Sequence, residues 1–366
     1  MRKNKIAAII IAAGYSSRMD GFKPLLKFNN ETAIERLIHT YQCSGIQDIY
    51  VVVGHRSDEI VHELKGLKID FVSNEAYDKG MFSSVIKGIL ALNQQIDAFF
   101  MQPVDIPLIK RSTLKLLKDS FSHSDKGVFY PTFLGQKGHP PLIDCKYNPV
   151  ILNSDGNGGL KRILEDFEED SLCVPVFDQS VIMDMDRRED YERLLEYDSQ
   201  NAPNKEECNA VMKHYQVPDH IIRHCEAVEQ AARKIYREIQ LKGISLNENA
   251  LYAAALLHDI VRKEKNHAVA GGNIIREMGY SFVGDIISSH MDIAVREEEP
   301  VTEKEILYLA DKLVKEDALC NLDERFEQAL KDKGDNPEAI EKINKRWLAA
   351  KAIMNKMESI DNKRLR

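Results

Sequence analysis

Residues 6–26 read Ile-Ala-Ala-Ile-Ile-Ile-Ala-Ala-Gly-Tyr-Ser-Ser-Arg-Met-Asp-Gly-Phe-Lys-Pro-Leu-Leu, and this stretch constrains the fold more than any other. Its first half is apolar and β-branched with no polar alternation, the pattern of a strand buried on both faces. It runs directly into a loop of small residues carrying Arg18 and Lys23. Small side chains at Ala12, Ala13, Gly14, Ser16 and Ser17 let backbone N–H groups approach phosphate oxygens. Arg18 and Lys23 are suited to neutralise the charge that grows on a departing pyrophosphate. The spacing is neither Gly-x-x-x-x-Gly-Lys-Ser/Thr nor Gly-x-Gly-x-x-Gly. The competing reading is an ordinary turn between a strand and a helix.

The next residues repeat the alternation. Apolar spacing at Ile34, Leu37, Ile38 and Tyr41 predicts a helix over 33–42, and 49–54 (Ile-Tyr-Val-Val-Val-Gly) predicts a second buried strand. Helix is expected at 57–64, strand at 69–72, helix at 83–92 and strand at 98–101, with a further strand at 127–131. Strands and helices in alternation make a mainly parallel α/β sheet covered by helices on both faces. Ligands in such sheets sit at the carboxyl ends of the strands. Asp105 falls just past one such end, between Pro103 and Pro107. A carboxylate there suits Mg²⁺, which takes one or two carboxylates plus phosphate oxygens. Asp105 could instead cap a helix starting at Arg111, and Ser83 could cap the helix that it opens.

The run Ala12-Ala13-Gly14-x-Ser16-Ser17-Arg18-Met19-x-Gly21-x-Lys23 resembles the signature of the MobA-like nucleotidyltransferases, closest to the molybdenum cofactor cytidylyltransferases. The guanylyltransferases of that family read Ala-Gly-Gly where this chain has Ala12-Ala13-Gly14, so the resemblance leans towards CTP. It implies a Rossmann-like nucleotidyltransferase with Arg18, Lys23 and Asp105 in the catalytic set. It also implies a nucleotide pocket that Asn74, Gly80 and Ser83 help to line, and an acceptor contact at His139 in Gly138-His139-Pro140. Residues 182–191 resemble the family's closing Asp-x-Asp motif, with Arg187 and Arg188 in place of Thr-Pro. By register Asp186 becomes the second magnesium ligand, with Asp184 as the alternative. The acceptor is then a pterin phosphate, or else a sugar, polyol or phosphonate phosphate, since fold does not fix substrate.

A chain of 366 residues is long for one domain. Residues 198–205 turn polar and read as a linker, which suggests a nucleotidyltransferase domain over 1–198 and a second domain over 203–366. The second half reads as all helix. From Pro218, apolar residues recur at Ile221, Cys225, Val228, Ala232, Ile235 and Ile239, and His224 shares their face. His258 and Asp259 sit in an apolar helix expected over 250–260. His290 ends a stripe of Val283, Ile286 and Ile287, and Asp311 interrupts a helix expected over 306–314. Buried imidazoles and carboxylates are costly unless paired or bound to metal. Convergence of His224, His258, Asp259 and Asp311 would make a nitrogen and oxygen cage suited to Mn, Fe, Co, Ni or Zn.

This ordered set resembles the HD-domain phosphohydrolases, and His267 and His290 make it similar to the subset that holds two metals. The resemblance implies metal-dependent phosphoester hydrolysis, with Asp259 in the catalytic centre. Two other readings are a regulatory nucleotide sensor and a di-iron oxygenase. Lys312 and Arg262 are candidate phosphate contacts or solvated charges, and the helix over 338–357, with Trp347, reads as a structural cover.

Composition sets the remaining limits. A net charge of -8 argues against a nucleic-acid or anionic-membrane surface. The partners expected are small molecules, a nucleoside triphosphate and a phosphate acceptor, and the sequence leaves the oligomeric state open. Six cysteines without a Cys-x-x-Cys pair favour reduced, mostly buried thiols. An apolar stretch behind Arg2 and Lys3 is broken by the loop from Gly14, unlike a signal peptide, and no run reaches membrane-spanning length. A cytoplasmic protein is the expectation.

Overall fold

A computed structural model describes residues 4–19, 21–333 and 336–363, with side chains described up to 360. Arg2 and Lys3 therefore lie outside the described residues. The chain divides into two compact units, Met1–Ser199 and Gln200–Arg366.

The first unit contains β1 (Ile6–Ala12), β2 (Lys27–Phe28), β3 (Glu31–Thr32), β4 (Asp48–Val53), β5 (Asp70–Ser73), β6 (Ala98–Pro103), β7 (Val128–Phe133), β8 (Gln136–Lys137), β9 (Leu142–Asp144) and β10 (Ser171–Pro175). Its helices are α1 (Ala33–Cys43), α2 (Ser57–Glu63), α3 (Met81–Ala91), α4 (Arg111–His123), α5 (Asn148–Leu152), α6 (Gly159–Glu165) and α7 (Arg188–Ser199). The main sheet has the order β10-β7-β9-β6-β1-β4-β5, with β8 paired to β7, while β2 and β3 form a separate ribbon. Parallel pairing joins β6, β1, β4 and β5, and also β7 and β10; β9 runs antiparallel to both β6 and β7.

Strand β1 is central, and its side chains divide cleanly between two cores. Ala8, Ile10 and Ala12 pack with Ile34, Leu37 and Ile38 of α1 and Leu114 and Leu117 of α4. Ala7, Ile9 and Ile11 pack on the other side with Val85 and Ile89 of α3, Ile151 of α5 and Ile163 and Leu164 of α6. This two-sided burial accounts for an apolar run without alternation. Gly88 allows α3 to lie flat on the sheet, because a Cβ there would stand 2.4 Å from Ile9 Cγ2.

Two expected helix caps differ from the structure. The residue before α3 is Gly80 rather than Ser83, and Lys110 precedes α4 without a side-chain cap. Asp105 therefore caps neither helix. The start of α4 is held instead by the buried Asp178, whose carboxylate accepts from Lys110 N, Lys110 Nζ and Thr113 Oγ1 at 2.8, 2.9 and 2.8 Å. Residues 198 and 199, expected in a linker, are the last turn of α7. Asp198 stays helical because it accepts from Asn29 Nδ2 at 2.9 Å and pairs with the Arg36 guanidinium.

The second unit is helical: α8 (Lys205–His214), α9 (Asp219–Leu241), α10 (Glu248–Leu257), α11 (His267–Glu277), α12 (Ser281–Ser288), α13 (Glu303–Lys312), α14 (Leu322–Lys333) and α15 (Pro337–Lys363). It also holds a short hairpin, β11 (Val314–Lys315) and β12 (Ala318–Leu319), where only helix was expected. Helix α8 starts at a capping box in which Asn204 and Glu207 each bond the other's backbone N–H. From Ala250 onward, helix α10 is buried all round. Trp347 of α15 stacks on Phe326 at 5.9 Å between centroids and donates to Asp323, in keeping with a covering role. Among the described residues, no helix is long and apolar enough to cross a membrane.

Asp178 gives the first testable expectation. Burial would raise its pKa, but the Lys110 charge and the hydrogen bonds from Lys110 and Ser180 outweigh burial and lower it. A depressed carboxylate contributes stability above its unfolded pKa of about 3.9 and loses it as pH falls through the folded value. Asp178→Asn should cost about 3–5 kcal/mol at neutral pH by leaving Lys110 without its buried partner. The gap in melting temperature between wild type and variant should narrow below about pH 4.

Candidate functional site

In the first unit, the carboxyl ends of β1 and β6 open into a cleft of about 530 Å³. Ala12, Ala13, Gly14, Ser16, Ser17, Arg18, Lys23, Gly80, Asp105 and Asp186 all line it. Ser16 turns the loop by adopting a φ of 55°. Its hydroxyl accepts from Lys23 N at 3.1 Å, so the loop folds back and brings Lys23 over the strand ends. The Lys23 ammonium stands between two carboxylates, 2.7 Å from Asp186 Oδ1 and 3.4 Å from Asp105 Oδ2. Arg18 lies further out, 3.7 Å from Asp186 Oδ2, with its side chain 78% exposed.

Backbone bonds bring these groups together. Val104 N donates to Ile11 O at 3.1 Å, which fixes the Asp105 turn beside β1. Met185 N donates to Asp105 O at 3.0 Å, which sets Asp184 and Asp186 against Asp105. Burial, then the charges of Asp186 and Asp105, push the Asp184 carboxyl above the usual carboxylate range. Three carboxylates against one close ammonium leave surplus negative potential, and an all-oxygen donor set of this kind fits Mg²⁺.

Asn74, Ser83 and His139 stand apart from the cleft wall. Asn74 is buried, and its Nδ2 donates at 2.9 Å to both Ser83 Oγ and Ser84 Oγ. Ser83 Oγ in turn bonds Gly80 O at 2.8 Å and Ala76 O at 2.9 Å. Asn74 and Ser83 therefore brace the start of α3, while Gly80, Met81 and Ser84 form the wall. His139 is outside the lining; its N–H donates to Val181 O at 2.8 Å, and its Nδ1 is buried without a hydrogen-bond partner. Burial lowers the His139 pKa against the opposing charges of Asp105 and Asp184, so the ring lies within the field of that carboxylate group. Tyr15 and Tyr77, whose rings meet at 5.3 Å, line the cleft and were missed in the sequence. Tyr15 lies inside the loop motif, so its aromatic character next to Gly14 was the available signal.

In the second unit, six residues from five segments of the chain converge. His224 comes from the second turn of α9, and His258 and Asp259 follow directly on α10. His267 opens α11, His290 lies just past α12, and Asp311 is near the end of α13. His258 and Asp259 were expected inside a helix. The helix instead is assigned only to Leu257, with His258 as its C-cap still in helical conformation. Asp259 is the centre. Its Oδ1 is 3.2 Å from His267 Nε2 and 3.6 Å from His290 Nε2, while its Oδ2 is 3.5 Å from His258 Nε2 and 3.8 Å from His224 Nε2. Asp311 Oδ1 closes the second side, 3.3 Å from His224 Nε2 and 3.9 Å from His258 Nε2.

Backbone carbonyls set the ring tautomers. Nδ1 of His224 faces Glu316 O at 2.7 Å, Nδ1 of His258 faces Ala255 O at 2.8 Å, and Nδ1 of His290 faces Ile287 O at 2.8 Å. A carbonyl can only accept, so each Nδ1 carries a proton and each ring directs its Nε2 inward. Nε2 of both His224 and His258 is buried without a hydrogen-bond partner. Burial brings His258 down to about 4, against the pull of Asp259. For Asp259 burial acts upward, but the surrounding imidazoles and Arg262 outweigh it and hold the carboxylate well below its usual range. Two groups have metal-ligand spacing, His224 with His258 and Asp259, and Asp259 with His267 and His290. Orphaned, buried Nε2 atoms facing carboxylates fit divalent transition metals, and Asp259 offers one oxygen to each group.

The two candidate phosphate contacts differ. Lys312 is buried, and its Nζ bonds Asp311 Oδ2 at 2.6 Å and His290 O at 3.1 Å, so it is an internal counter-ion rather than a surface charge. Arg262 stands half exposed at the rim, with Nη1 2.6 Å from Asp259 Oδ2.

Comparison with known proteins follows the same division. Residues 8–172 match the model of the MobA-like NTP transferase domain, and residues 221–315 match that of the HD domain. The bifunctional protein GlmU of Francisella tularensis subsp. holarctica is 25% identical over 173 residues, covering 46% of this chain and 37% of its own length. The chain thus spans little more than a third of the curated relatives that it matches. Among solved structures, a nucleotidyl transferase from Methanothermobacter thermautotroptrophicus is 24% identical with a TM-score of 0.48, covering 54% of this chain and 99% of its own. Rv0371c from Mycobacterium tuberculosis is 19% identical with a TM-score of 0.48, covering 53% and 98%. The chain joins, in one polypeptide, a MobA-like NTP transferase domain at its amino-terminal end and an HD domain at its carboxy-terminal end.

Proposed function

We propose that the protein is a two-activity enzyme. The first unit transfers a nucleotidyl group, CMP from CTP, to a molybdopterin-like phosphate acceptor and releases pyrophosphate. The second unit hydrolyses a phosphoester. The observation that carries the first reading is Lys23 held between Asp105 and Asp186 at the carboxyl ends of β1 and β6. An acceptor phosphate oxygen bonds to the α-phosphorus, the bond from that phosphorus to the bridging oxygen breaks, and pyrophosphate leaves. Lys23 and the exposed Arg18 meet the charge that develops on it, with the backbone of the loop from Ala12 to Ser17 behind them. Asp105 and Asp186, with Asp184 beside them, would hold Mg²⁺, which draws charge from the triphosphate and aligns it. The preference for CTP rests on Ala13, where the guanylyltransferase pattern has glycine.

In the second unit, the reading rests on the orphaned Nε2 atoms of His224 and His258 around a shared carboxylate. His224, His258, Asp259 and Asp311 would hold one metal, and His267 and His290 with Asp259 a second. Ions held there would supply a water acidic enough to attack phosphorus. The water oxygen bonds to phosphorus, the ester bond breaks, and the alcohol leaves with a proton. Arg262 at the rim supplies a cation for the phosphate. That favours phosphoester chemistry over the oxygenase reading, which does not call for it.

Pyrophosphate release should be screened with CTP, GTP, ATP and UTP against molybdopterin and a panel of sugar phosphates. CTP with molybdopterin should turn over fastest, and a faster reaction with a sugar phosphate would replace the acceptor. Lys23→Ala should lose about a hundredfold or more of the transfer rate while keeping its melting temperature. For the second unit, chelation should lower the melting temperature of the full chain and abolish phosphate release. His258→Ala should bind less metal by elemental analysis and should respond less to the chelator.

A further inference from the structure

Apart from the His/Asp cluster, a cavity of about 520 Å³ opens where α8, α9 and α10 meet. Cys208, Tyr252, Ala253 and Leu256 form its floor, and none is more than 8% exposed. Arg233 and Glu229 of α9 form one wall, where Arg233 Nε donates to the Glu229 carboxylate and fixes the plane of the guanidinium. That plane lies over the Tyr252 ring, 3.8 Å from its centroid, while the Arg233 side chain stays 44% exposed. The amides of Gln230 and Asn249 stand at the rim. Among the described residues the Tyr252 hydroxyl has no hydrogen-bond partner, although only 8% of the residue is exposed. A phenol shielded to that degree is costly unless an occupant of the cavity pairs with it.

We propose that this cavity is a binding site for an uncharged nucleobase or nucleoside, separate from both candidate catalytic centres and independent of either activity. Charge sets the first limit. Lys205 and Arg233 are matched by Glu226 and Glu229, so the lining carries no net charge and favours a neutral occupant over a phosphorylated one. The surface sets the second. One face of the tyrosine ring is already covered, so the plate that an occupant meets is a planar cation. A guanidinium attracts the π-face of a heterocycle and has no such attraction for a saturated sugar ring. The rim sets the third, because an amide offers a donor beside an acceptor, the pairing with which Asn and Gln read the edge of adenine. The volume lies within the range of pockets that enclose a small organic ligand. Glu226 is two residues past His224 and Leu256 two before His258, so an occupant would tie together the two helices that deliver those histidines.

The test is calorimetric titration of the full chain with adenosine and myo-inositol, and of the chelator-treated chain with AMP, so that no turnover adds to the heat. Three variants alter the cavity. Asn249→Leu removes an amide from the rim, Arg233→Lys keeps the charge but loses the plate, and Gln230→Trp fills the space from the edge. Adenosine should bind one per chain and at least about tenfold more tightly than inositol, and each variant should weaken it by about tenfold. Bound adenosine should also raise the melting temperature of the wild type, as any ligand selective for the folded state does, and should raise that of the variants less at equal concentration. The melting temperature without ligand serves as the control for folding, and should one variant melt early the other two decide. AMP should bind at this site no more tightly than adenosine does. Adenosine binding that is absent, or that survives all three variants, would overturn the assignment of the cavity. Inositol bound as tightly as adenosine, or AMP bound more tightly and lost in the variants, would overturn the class of ligand. None of these results depends on whether either unit is an active enzyme.

Discussion

Placing carboxylates where water is scarce is the constraint on which both units depend. A buried carboxylate must be paired or lose its charge, and this chain pairs each one differently. In the first unit, Lys23 reaches Asp105 and Asp186 from a loop that Ser16 folds back, while Lys110 neutralises Asp178 at the start of α4. The second unit surrounds Asp259 with imidazoles and sets Lys312 against Asp311. These pairings aim the carboxylates at shared points.

Much of this was legible in the sequence because burial leaves a periodic trace. β1 was readable since both of its faces are covered, and such a strand keeps an unbroken apolar run. His224 stood out because it shares the face of Ile221, Cys225 and Val228 on α9, where a polar residue is out of place. Asp105 was marked by its position just beyond an apolar run and between two prolines.

Features fixed by distant contacts left no such trace. β9 is three residues long, inside a segment that reads as loop, and it becomes a strand only by pairing with β6 and β7. Polar composition suggested that Asp198 belongs to a linker, but Arg36 holds it in α7 from 162 residues away in sequence. Lys312 looks like a surface charge, and only the tertiary structure shows it buried beside Asp311. Asn74 lies within a pocket motif yet acts from behind the wall. For the same reason, the end of α10 at Leu257 could not be read from its uniformly apolar sequence.

Glu305 belongs to the capping box that starts α13, where it accepts from Thr302 N at 3.0 Å. Its other oxygen receives Lys356 Nζ of α15 at 2.7 Å, and both side chains are about 95% shielded from solvent. Tyr308, one turn further along α13, donates to Arg346 O of α15 at 3.0 Å. The matched HD segment ends at residue 315, yet the helix that delivers Asp311 is bolted to a partner more than twenty residues beyond that limit. A fragment cut at the family boundary would lose both the lysine that pairs with Glu305 and the helix that covers α13, the element carrying Asp311. In this chain the functional module is larger than its recognisable motif.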